Sequence, residues 1–133
     1  MLQRIQSLYF LGAISLHVCF LFLPIATLHA EKIIAINNVG LAVLSIGIDL
    51  LMVLAIFQFT NRKRQMLLCR ILVLALAAEL VFALFTISGD SQNTLQQYSW
   101  GSILPIVSLL LILLAHKAIA HDERLVRSAD RLR

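Results

Sequence analysis

The chain has 133 residues, 60% of them hydrophobic and 14% charged, with a mean hydropathy of +0.91 and a formal net charge of +4. That length suits one domain, but a soluble domain of this size could not hide so much apolar surface. Lipid must be the solvent, and the excess of Lys and Arg reads as charge retained on the cytoplasmic side, not as a nucleic-acid surface.

The first apolar run, residues 8–28, is LYFLGAISLHVCFLFLPIATL and follows Arg4. It is longer than a signal-peptide core, and Leu28 is large for a cleavage box ahead of Ala30, so it predicts a retained helix over 5–29. The second run, IAINNVGLAVLSIGIDLLMVLAIFQF, predicts a helix over 34–60. The third, MLLCRILVLALAAELVFALFTIS, predicts one over 65–88. The fourth begins at Ser102 with SILPIVSLLLILLAHKAIA and predicts a helix over 101–131. Each holds near the roughly 20 residues that cross about 30 Å of hydrocarbon. Pro105 does not break the fourth. With Ser102 as N-cap it falls in the first turn, where backbone N–H groups have no intrahelical partner. The predicted fold class is an all-α membrane protein, a four-transmembrane-helix bundle with a cytoplasmic C-terminal helical extension, in a single domain over 1–133.

Orientation follows from charge. The loop TNRKRQ carries Arg62, Lys63 and Arg64, whereas GDSQNTLQQYS has no Lys or Arg, and HAEK offsets Lys32 with Glu31. Arg4, the basic loop and the tail therefore share the cytoplasmic side, with both termini inside. Tyr98 and Trp100 then fall at the outer interface, where amphipathic rings settle. Cys19 and Cys69 lie in apolar runs with no C-x-x-C between them, so they read as small buried thiols and not as a redox pair.

The two ends of the chain, MLQRIQSLYFL and DERLVRSADRLR, together with the four-helix layout between them, resemble a family of small four-helix membrane proteins of unknown function found in Bacteroidota, domain of unknown function 4293. The resemblance spans the whole chain. It implies an inner-membrane protein of a Gram-negative cell, and it implies no activity, cofactor or catalytic residue.

Two acids lie where hydrocarbon is expected, and a carboxyl there costs a few kcal/mol. Counted from the cytoplasmic side at helical rise, Asp49 is roughly 15 Å deep, Glu79 roughly 20 Å and His17 roughly 14 Å, near one plane on three helices. Asn38, Ser45 and Asp49 share a stripe on the second helix. Ala75, Glu79, Ala83 and Thr86 share one on the third, and Gly101, Ser108 and Ala115 on the fourth. Such small, weakly polar stripes are how membrane helices pack, so the acids should face inward. Gly40 and Gly47 add a second face on helix two where a backbone can approach. The intramembrane polar cluster is therefore His17, Ser45, Asp49 and Glu79. It reads either as interhelical hydrogen bonding or as a proton or cation site with His17 as relay. Arg70, near the cytoplasmic end of the third helix and opposite Glu79, reads as snorkelling.

From residue 109 onward there is neither Gly nor Pro, so the fourth helix can run on past the membrane. Leu125, Val126, Ala129 and Leu132 make one narrow apolar stripe among arginines and acids, suited to docking on a partner or on the basic loop. No catalytic or metal-ligand constellation is present in the sequence, and no cofactor is expected. The chain reads as a non-enzymatic accessory or scaffolding protein, with the lipid bilayer, another membrane or cytoplasmic protein, or a second copy of itself as partner. The alternative is a small proton-coupled transporter or channel using Asp49 and Glu79. It is similar to small multidrug transporters in size and helix number but differs in carrying no acid on its first helix.

Overall fold

The computed structural model describes residues 3–28, 31–58, 61–89 and 97–130. Four long helices dominate it: α1 is Gln3–Phe22, α2 Val39–Phe57, α3 Arg62–Gly89 and α4 Leu104–Asp130. Each contributes a segment long and apolar enough to cross a membrane, namely Ile5–Phe22, Val39–Phe57, Arg62–Ile87 and Trp100–Val126. The helices close in chain order: α1 packs on α2 and α4, and α3 on the same two. Gln6 of α1 meets Asp122 of α4, and Ala13 meets Ser108, so these two helices run antiparallel.

The largest differences from the sequence prediction fall at two boundaries. The first helix ends at Phe22, and the second starts at Val39. Between them lie two strands, β1 (Pro24–Leu28) and β2 (Glu31–Ile34), then a 3-10 turn, Ala35–Asn37. Pro24 has no N–H to continue the helical ladder, and the β-branched Ile25, Thr27, Ile33 and Ile34 favour a pleated chain. A third strand, β3 (Gln97–Tyr98), pairs with the other edge of β1, giving an antiparallel order β2-β1-β3. Hydropathy alone could not separate β1 from the helix before it, because Ile25, Ala26 and Leu28 continue its apolar run without a break. Asn38 then starts α2: its side-chain Oδ1 accepts from the backbone N–H groups of Gly40 and Leu41 at 3.1 and 3.2 Å. Ser102 does not cap α4. Its hydroxyl donates to the Ser99 carbonyl within a 3-10 turn, Trp100–Ile103, and Pro105 sits in the first turn of α4 as expected.

Two apolar clusters fill the bundle. One gathers Phe10, Ile48, Met52, Leu72, Leu76 and Ile112 toward the end where α1 begins. The other gathers Phe20, Ile25, Leu41, Ala83 and Ile87 toward the sheet. The outside is also apolar: Val39, Leu74 and Phe85 are each more than 70% exposed. In lipid, a bundle with oily residues on both surfaces would gain nothing from hydrophobic association, and close packing and internal hydrogen bonds would have to hold it. Cys69 is buried, but Cys19 lies on the exposed side of α1, so only one of the two thiols is in the core.

The sheet grips α4 through Gly101. A side-chain carbon there would overlap the Pro24 carbonyl, so only glycine fits this backbone approach. Gly101→Ala should lower stability by about 1–3 kcal/mol, the usual cost of overpacking, read as a fall in thermal unfolding midpoint in detergent.

Candidate functional site

Between the two apolar clusters lies one polar layer. His17 comes one turn after Ala13 and just before Phe20 on α1. On α2, Ser45 and Asp49 lie between Leu41 and Met52, and on α3 Glu79 lies between Leu76 and Ala83. Helical spacing aims all four inward at one level. The His17 ring bridges the two acids: Nδ1 is 2.9 Å from Asp49 Oδ1, and Nε2 is 2.7 Å from Glu79 Oε2. Ser45 Oγ donates to the other oxygen of Glu79. The side chains of His17 and Glu79 are fully buried, whereas that of Asp49 is 16% exposed at the edge of the bundle. Phe20 stacks on the imidazole with ring centroids 5.8 Å apart, fixing its plane.

All four residues of the predicted polar cluster are therefore joined in one hydrogen-bonded set. The stripes around it have separate roles. Ser108 and Ala115 are buried in α4, and Ser108 Oγ donates to the Ala13 carbonyl at 3.2 Å. Thr86 bonds back to its own helix at the Phe82 carbonyl. Gly40 admits the Phe82 ring, but Gly47 faces open space. Asn38, predicted in the acid stripe, serves instead as the α2 cap. Arg70 is exposed on the face of α3 away from Glu79.

Each ring contact needs one proton. A neutral imidazole with one protonated carboxyl supplies two, and so does an imidazolium between two carboxylates; either leaves one net negative charge. Glu79 uses both oxygens within the cluster, so the oxygen left for a third, neutralising proton is the outer one of Asp49. An imidazole can accept a proton on one nitrogen and release it from the other. The geometry thus suits holding a proton, or passing one between Asp49 and Glu79. Both ring nitrogens are committed to carboxyls, so the cluster as arranged has no imidazole ligand for a metal.

At the far end of the bundle from the sheet lies a second polar set, of which sequence reasoning gave the docking of the tail on the basic loop but not the two glutamines. Gln6 Nε2 donates to Asp122, both side chains being buried. Arg62 Nη1 reaches the Asp122 carbonyl at 3.3 Å, and buried Gln65 donates to the Ala55 carbonyl at 3.1 Å. These polar residues sit on core faces, and that spacing was the available signal. Lys63 and Arg64 are exposed beside them; the side chain of Arg4 lies outside the described residues. The start of α1, the basic segment and the tail therefore share one end of the bundle. Leu125 and Val126 are 48% and 43% exposed in the tail. Leu132 and the side chains of Ala129 and Tyr98 lie outside the described residues, whereas Trp100 is 83% exposed near the sheet.

A family model described as a domain of unknown function (DUF4293) matches residues 2–132. No curated protein and no solved structure matches the chain.

His17 is the only member of the cluster bonded to both acids. His17→Leu leaves two carboxyls facing each other without a donor between them and should cost about 3–5 kcal/mol, as removal of one partner from a buried charged set does. Replacing His17, Asp49 and Glu79 together by Leu should recover most of that loss. Unfolding in mixed micelles measures both variants.

Proposed function

The chain belongs to the family described as a domain of unknown function (DUF4293), and we propose that it is a non-enzymatic, multi-pass inner-membrane protein serving as an accessory or scaffolding subunit. One observation carries this reading. α4 continues as a single helix to Asp130, and its Leu125 and Val126 stay exposed among charged neighbours. An exposed helix this short is marginal unless something covers its apolar side. At about 1.5 Å per residue its 27 residues are roughly 40 Å long, more than the hydrocarbon needs. Arg62, Lys63 and Arg64 gather at the same end, which supports a cytoplasmic placement of that end and of both termini.

A second reading, a small proton-coupled transporter or channel, is favoured by the His17 bridge between Asp49 and Glu79. Ionisable residues inside spans commonly mark ion or proton pathways.

Three measurements test these readings. In a background without Cys19 and Cys69, Asn61→Cys should label only after the cytoplasmic face is opened, and Lys32→Cys should label from outside. The reverse pattern would overturn the topology. Replacing Leu125 and Val126 together by Ser should cut the affinity for a co-purifying partner at least about thirtyfold, and its recovery with it, since truncated anchors at an interface cost about one to two kcal/mol each. Unchanged recovery removes the tail from the scaffold. In liposomes carrying a pH-sensitive dye, Asp49→Asn and Glu79→Gln should abolish proton flux if transport is real; a wild-type protein without flux leaves the accessory reading alone.

A further inference from the structure

One cation, Arg70, lies about two turns along α3 from its basic end, in the run read as spanning hydrocarbon. Arg70 is exposed on α3, and among the described residues it makes neither an ion pair nor a hydrogen bond. It sits about 12 Å along the helix from Arg62. A guanidinium at that depth is costly unless its five donors find acceptors. Beside it, between α3 and α4, runs a groove of about 320 Å³ lined by Cys69, Arg70, Val73, Leu74, Leu113 and His116. The Nε2 atom of His116 is buried there with no hydrogen-bond partner.

The groove has a direction. α3 starts at the basic end of the bundle and α4 returns to it, so Arg70 and His116 lie at the groove's basic end. Val73, Leu74 and Leu113 lie at its deeper end. A cationic mouth above an apolar slot matches an amphiphile with an anionic head and a hydrocarbon tail. Arg70 can reach up toward the headgroup layer along its own stem, and its planar fork fits phosphate oxygens in pairs. His116 lines the opposite wall, and its unpartnered Nε2 can serve as a donor there when that nitrogen carries the ring proton. Lys63 and Arg64, exposed at the end of the same helix, raise the local concentration of anionic lipid.

We propose that the groove between α3 and α4 is a binding site for one anionic phospholipid of the adjacent leaflet, its phosphate held by Arg70 and His116 and an acyl chain laid along Val73, Leu74 and Leu113. The proposal rests on the chain lying in a bilayer, and on neither the scaffolding nor the proton reading. Incorporation into nanodiscs checks that premise separately.

The test uses the full chain in nanodiscs of equal phosphatidylglycerol and phosphatidylethanolamine, followed by release into detergent and native mass spectrometry. Wild type should retain one phosphatidylglycerol in preference to phosphatidylethanolamine. Arg70→Gln, on an exposed face, should incorporate normally and lower that retention about tenfold or more, the size of a lost charge-assisted hydrogen bond. Val73→Phe should lower it by filling the deep end without touching the charge. Equal retention of the two lipids by wild type, or undiminished phosphatidylglycerol on Arg70→Gln, would overturn the site. Undiminished retention on Val73→Phe would overturn the chain's place in the groove. Displacement of the lipid by inorganic phosphate would show that the head alone binds and would overturn the lipid as occupant.

Discussion

One imidazole holds three helices at one level. His17 can meet Asp49 and Glu79 together only if α1, α2 and α3 keep fixed depths and rotations, because each contact is a hydrogen bond of under 3 Å. A shift of one residue along any helix, about 1.5 Å and 100°, would turn its side chain out of the set. Apolar packing is more forgiving: the Leu, Ile and Val above and below the layer could re-pack in several registers. The buried polar layer is therefore what specifies the bundle, with the apolar clusters on either side keeping water away from it. Glu79 is the anchor, fully buried with both oxygens hydrogen-bonded. Asp49 is the edge, where the set comes closest to its surroundings.

The fourth helix is fixed by other means. Its buried Ser108 bonds to the α1 backbone at Ala13, one turn before His17, and not to the His17, Asp49 and Glu79 set itself. Its ends are tied instead, to β1 at Gly101 and to Gln6 and Arg62 at Asp122. Both ties exclude a polar or crowded alternative: Gly101 leaves no room for a side chain, and buried Asp122 without Gln6 would lose its donor. Beyond Asp122 the helix runs on to Asp130, and among the described residues there Leu125 and Val126 stay about half exposed.

Much of this was legible in the sequence, for identifiable reasons. Four long apolar runs admit few arrangements in 133 residues. Asp49, Glu79 and His17 stood out because charge is expensive in such surroundings, and counting rise along each helix put them in one plane. The role of His17 as the bridge was not legible, since depth says nothing of which side chain lies between the others. The sheet was hidden because Ile25, Ile33 and Ile34 look like helix in a hydropathy reading, although Pro24 and the run of β-branched residues were the signal. Asn38 was misplaced for the same reason. Extending α2 backward to residue 34 turned an N-cap into a core polar residue. Gln6 and Gln65 did not stand out in this way because they lie near the ends of the runs, where polar residues are ordinarily solvated.

The bridge itself can be observed. A chain with His29, His116 and His121 replaced by Gln carries His17 as its sole histidine. With ¹⁵N in that ring and ¹³C in the Asp and Glu carboxyls, solid-state NMR in lipid should show Nδ1 close to the Asp49 carboxyl and Nε2 close to the Glu79 carboxyl. The first correlation should disappear on Asp49→Asn labelling and the second on Glu79→Gln. Ring nitrogens that show no carboxyl neighbour, or that exchange freely with bulk water, would contradict the central place given to His17.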